Sequence, residues 1–86
     1  MTCRIDRLSI EQAVVLQVSG RLTGEDLDVL RTALEEGRVV AIDLTEVELA
    51  DRNAVTFLAR TERNGIELRH CPAYIREWVT RERGPS

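Results

Sequence analysis

The run Val39-Val40-Ala41-Ile42-Asp43-Leu44 constrains this chain more than any other segment. It is apolar throughout except for one carboxylate near its C-terminal end, so it reads as a buried strand. A strand that is apolar on both faces needs cover on both. A short polar link, Thr45 to Glu48, follows it. Leu49-Ala50-Asp51-Arg52-Asn53-Ala54-Val55 then opens a helix whose N-cap is Asp51. The junction of such a strand with such a helix exposes backbone N–H groups, a surface able to recognise another molecule.

The remaining pattern places this strand in a small α/β domain. Arg4 to Ile10 reads as a first, edge-type strand and Glu11-Gln12 as a tight polar break. Ala13 to Ser19 is a firmer strand, with Val14, Leu16 and Val18 on one face and Val15, Gln17 and Ser19 on the other. Two strands joined this closely form a hairpin. Gly20 marks a turn, and Thr23-Gly24-Glu25-Asp26 reads as a capping box. Leu27, Leu30 and Leu34, with Ala33 alongside, have helical spacing, and Gly37 is the expected stop. The second helix spans about Arg52 to Arg63, with Val55, Leu58 and Ala59 inward and Asn64-Gly65 at its end. Ile66 to His70 alternates as a fourth strand. Pro72 suits the first turn of a third helix that carries Ile75, Trp78, Val79 and Glu82 on one face, and residues 83–86 read as a frayed tail.

The expected fold is therefore α/β: a small mixed four-stranded sheet, its first hairpin antiparallel and the rest parallel, packed with about three helices. Right-handed crossovers with strands in chain order put the helices on one face. The second face of Val39 to Leu44 then needs the C-terminal helix or a second copy of the protein. An exposed edge at the first or fourth strand would permit a homodimer by strand addition, and charges along both strands would equally block it.

Composition narrows the function classes. At 86 residues the chain is one small domain, which buries roughly 60% of its unfolded surface. Its net charge of −3 and scattered acids argue against nucleic-acid binding, which needs a basic stripe. All 12 basic residues are Arg, a pattern that fits codon bias in a GC-rich genome or guanidinium recognition of anions. Met1 to Asp6 carries charge at once and has no signal-peptide core. No apolar run approaches the ~20 residues that span a bilayer. The expectation is a cytoplasmic location without membrane insertion, with Cys3 and Cys71 reduced.

No catalytic set emerges. His70-Cys71 is the only pairing of soft ligands, far short of a zinc site, and adjacent residues rarely form a nucleophilic pair. No metal or cofactor is expected. Gly20 and Gly24 form neither a P-loop nor a dinucleotide fingerprint. Asp43 reads as an acceptor for loop amides or as a buried carboxylate with a raised pKa. Thr45, Thr56 and Thr61 read as structural hydroxyls, Thr56 bonding back to its helix, with phospho-acceptor roles as the alternative. Trp78 reads first as a seal on the core, with an interface anchor as the alternative, and Tyr74 as either core or interface anchor.

Several segments together resemble the STAS domain, the module of sulfate transporters and anti-sigma factor antagonists. They are Val14-Val15-Leu16-Gln17-Val18-Ser19-Gly20-Arg21-Leu22, Val40-Ala41-Ile42-Asp43-Leu44, the spacing to Asp51, and Gly65-Ile66-Glu67-Leu68. Antagonist-type members carry Asp-Ser-Ser-Gly at the second helix, where a kinase phosphorylates the first serine. Here Asp51-Arg52-Asn53-Ala54 stands in its place, so Arg52 occupies the serine position and no phosphorylation switch is expected. Many members also carry a final strand and helix beyond the third helix, which this sequence is expected to lack. The resemblance implies a non-enzymatic regulatory docking module of bacterial type, binding through Leu22, Thr23, Asp51, Arg52, Asn53 and Ala54. It implies an anti-sigma or histidine-kinase-like ATPase as partner. Two alternatives are an accessory subunit beside an ABC-transporter ATPase and a small-ligand or nucleotide binder using helix N-termini. Arg52 is either a fixed positive contact for an acidic partner or a solvated side chain at a decayed site.

Overall fold

The computed structural model describes residues 3–36 and 38–83. Strands β1 (Cys3–Ile10) and β2 (Ala13–Leu22) form an antiparallel hairpin. A 3-10 turn (Gly24–Asp26) leads into α1 (Leu27–Glu35), followed by β3 (Val39–Ala50), α2 (Arg52–Arg63), β4 (Glu67–Arg69) and α3 (Ala73–Arg83). The sheet order is β1-β2-β3-β4, with β2–β3 and β3–β4 parallel. The mixed four-stranded sheet with three helices is the fold that the hydrophobic pattern predicts. The break at Glu11-Gln12 is a two-residue turn in which both residues have positive φ (49° and 74°), the geometry that matches strand twist.

All three helices contribute to one core. Leu16, Val18, Ile42 and Leu44 from the sheet meet Leu30 of α1, Val55 and Leu58 of α2, and Ile75 and Val79 of α3. Each of these large side chains is buried, contributing roughly 1.5–3 kcal/mol. Trp78 packs half-buried against this core, as expected of a seal. A bidentate pair from Arg76 to Glu62 (3.0 and 2.8 Å) ties α3 to α2. α3 therefore lies on the helical side of the sheet and does not cover the second face. There Ala41 and Val15 are buried, while Leu8 and Ile10 stay exposed.

Three expectations are corrected. Thr45 to Glu48 is no link but strand: β3 continues to Ala50, alongside Ser19 to Leu22 of β2. Three one-residue bulges let the longer β3 follow β2, so the polar stretch loses its two-residue alternation while Val47 and Ala50 still reach the core. Gly20 is no turn; it lies inside β2 with φ 86° at one of these irregularities. β4 is shorter than the apolar pattern implies. Ile66 donates to Thr61 O and Gly65 to Glu62 O, so both complete the α2 stop, and His70 leaves the strand with φ 53°. Pro72 immediately precedes α3, its carbonyl accepting from Arg76 N. Gly37, the expected stop of α1, and positions 84–86 of the expected tail lie outside the described residues.

Candidate functional site

The parallel strands β2 and β3 end side by side, Leu22 opposite Ala50, and each hands over to a helical segment. Crevices outside the carboxyl ends of parallel strands are where α/β sheets place binding groups. Asp51 joins the two handovers. Its Oδ1 accepts from Ala54 N (2.8 Å) as the N-cap of α2, and its Oδ2 accepts from Gly24 N (3.0 Å). Its own amide donates to Leu22 O (3.2 Å). One carboxylate thus accepts from one amide of the first turn of α2 and one amide of the neighbouring turn.

Asp26 builds the second half. Its Oδ2 accepts from both the Thr23 amide (3.0 Å) and the Thr23 hydroxyl (3.1 Å), the acidic arm of the expected capping box. Gly24 meets Asn53 closely: a Cβ on Gly24 would lie 3.1 Å from Asn53 Nδ2. A shallow depression lined by Arg21, Thr23, Gly24, Glu25, Asp51 and Asn53 opens at this point.

The six anticipated contact residues divide by burial. Leu22 and Ala54 are 0% exposed, so their side chains support the site from beneath and offer no contact surface. Thr23 and Asp51 are half-buried, and Arg52 and Asn53 are exposed. Arg52 makes no ion pair among the described residues. Arg21, Gly24 and Glu25 belong to the same surface but escaped the sequence pattern. Arg21 lies beside Leu49 in the β2–β3 register, a neighbour that only strand pairing reveals.

The other candidates take structural places. Asp43 Oδ1 accepts from the Thr45 amide (2.9 Å) and hydroxyl (2.6 Å) inside the bulged strand. Burial would raise the Asp43 pKa, but the two Thr45 bonds, with His70 and Arg69 nearby, outweigh it and hold the carboxyl below its ordinary value. The raised-pKa alternative is therefore overturned. Thr61 is buried and donates to Phe57 O (2.9 Å). Thr56 departs from expectation, pointing across to Glu82 Oε1 (3.4 Å) instead of to its own helix. Tyr74 is half exposed, and its hydroxyl donates to Glu48 O (2.7 Å), covering a carbonyl of β3 beyond the end of β4. Cys3 and Cys71 are free thiols, both pushed up by burial, with Asp26 adding to the shift at Cys3. Among the described residues no group of His, Cys, Asp and Glu side chains could hold a metal ion. No described helix is long and apolar enough to cross a membrane. Comparison with known protein families and with curated proteins finds no match for this chain.

Proposed function

We propose that this chain is a non-enzymatic protein-docking module of the STAS kind, akin to the anti-sigma factor antagonists. Its docking surface is the rim formed by Thr23, Asp51, Arg52 and Asn53. One observation carries the reading: Asp51 bonds both Ala54 N and Gly24 N, so the start of α2 is locked to the neighbouring turn while Arg52 and Asn53 remain exposed on it. A surface held this way loses little conformational freedom on binding. Arg52 carries a permanent charge where a hydroxyl would be switchable, so docking here is constitutive and directed at an acidic surface. The partner class is an anti-sigma or histidine-kinase-like ATPase of a bacterial regulatory system.

Affinity purification of the tagged protein from its native host tests this reading. A stoichiometric ATPase of that class is the expected co-purifying species. Arg52→Glu then weakens the complex by about tenfold, because an acidic partner surface meets a reversed charge. Recovery of the protein alone overturns the docking reading, and unchanged affinity of Arg52→Glu removes Arg52 from the surface.

A further inference from the structure

We infer that β1 pairs with β1 of a second copy, antiparallel and edge to edge, with the twofold axis at Ile5. β1 is an outer strand of the sheet, bonded on one side only. It runs eight residues in unbroken register with β2, without the proline or bulge that blunts many edges. The two-residue turn makes Ile10 and Ala13 the closing hydrogen-bonded pair. Counting back from Ile10, the even-numbered residues turn their amides toward β2. Cys3, Ile5, Arg7 and Ser9 turn theirs outward, ready for another strand.

Charge selects the register. In a twofold antiparallel pairing, opposed residues share a face, and like charges placed opposite one another are unfavourable. An axis at Arg4, Asp6 or Arg7 sets that residue against itself. An axis at Leu8 sets Asp6 against Ile10 of the second copy and leaves Arg4 without a counterpart. With the axis at Ile5, Arg4 faces Asp6 of the second copy, Asp6 faces its Arg4, and Ile5 faces Ile5. Arg4 and Asp6 already lie on one face of β1, 3.2 Å apart and well exposed (78% and 49% of their side chains). Pairing at this register closes the two ion pairs into a ring of four alternating charges. Arg4 and Asp6 fall at non-hydrogen-bonded positions, where cross-strand side chains approach most closely. On the helical side, the groove between β1 and α1 lies beside the same edge; Ile5, Val29 and Ala33 line it together with Thr32 and the Arg7–Glu36 ion pair (3.1 Å), and Val29 is 62% exposed. The edge therefore offers the second copy the exposed Val29 side chain as well as a ladder.

Light scattering and sedimentation equilibrium over a concentration series test the inference. The wild-type protein is expected to reach twice the 9.7 kDa monomer mass. Arg4→Asp and Asp6→Arg each turn two attractive pairs into two repulsive ones and weaken self-association by about tenfold or more. Both residues are exposed, so circular dichroism should stay native. The decisive measurement mixes the two variants, because Asp at position 4 then faces Arg at position 6 of the other chain. The mixture is expected to form a heterodimer, and the double exchange Arg4→Asp with Asp6→Arg a homodimer. A wild-type protein that stays monomeric up to millimolar concentration overturns the inference. So do single variants that remain dimeric, or a mixture that stays monomeric.

Discussion

Replacing Asp51 with alanine removes two hydrogen bonds from two different elements at once. Loss of an N-cap costs about 0.5–2 kcal/mol. The second bond, from Gly24 N at 3.0 Å, leaves an amide in a part-buried turn without its charged acceptor. Bonds to charged groups contribute about 1.5–3 kcal/mol, discounted here because Asp51 is only half-buried. Together these give a destabilisation of about 2–3 kcal/mol, against a total stability of about 4–13 kcal/mol for a domain of this length. At about 4–8 °C per kcal/mol, the midpoint of thermal unfolding falls by about 10–20 °C. Asp51→Asn separates the contributions. Its single carbonyl oxygen serves one of the two amides, while its NH2 faces the other, so it recovers only part of the loss. Urea unfolding followed by circular dichroism measures all three proteins, with the slope m held constant as the control for a two-state comparison. Asp51→Ala within about 0.5 kcal/mol of wild type would refute the two-bond reading, since that is the range of an inert surface change. Equal stability of Asp51→Asn and wild type would refute the assignment of both oxygens.

Two further outcomes follow from the strands. Glu11 and Gln12 both adopt left-handed φ in the hairpin turn, so Glu11→Asn with Gln12→Gly should stabilise the protein by about 1 kcal/mol, read as a raised urea midpoint. A lowered midpoint would show that the turn is not of this type. At Asp43 the folded pKa lies below the ordinary 3.8, so its contribution is present above that value and disappears as pH falls through the folded pKa. Thr45→Val removes the side-chain bond, raises the Asp43 pKa in a carboxyl NMR titration, and flattens the acid limb of the stability curve. An unmoved Asp43 resonance would contradict this.

The strand–helix alternation, the inward residues of α1 and α2 and the cap at Asp51 were legible in the chain because each rests on local spacing. Val55, Leu58 and Ala59 repeat at helical intervals whatever surrounds them, and an aspartate before such a stripe caps it. The continuation of β3 was hidden. Its last two bulges shift Val47 and Ala50 out of a two-residue alternation, and a bulge exists only relative to the strand beside it. The candidate surface divides in the same way. Arg52 and Asn53 were visible as the first turn of a helix. The burial of Leu22 and Ala54, and the place of Arg21, Gly24 and Glu25 at the same depression, were not. Local sequence determines which elements form and where a helix begins. Only tertiary packing decides that the Asp51 carboxylate spans to Gly24, 27 residues earlier in the chain, because that bond requires two parallel strands to end side by side.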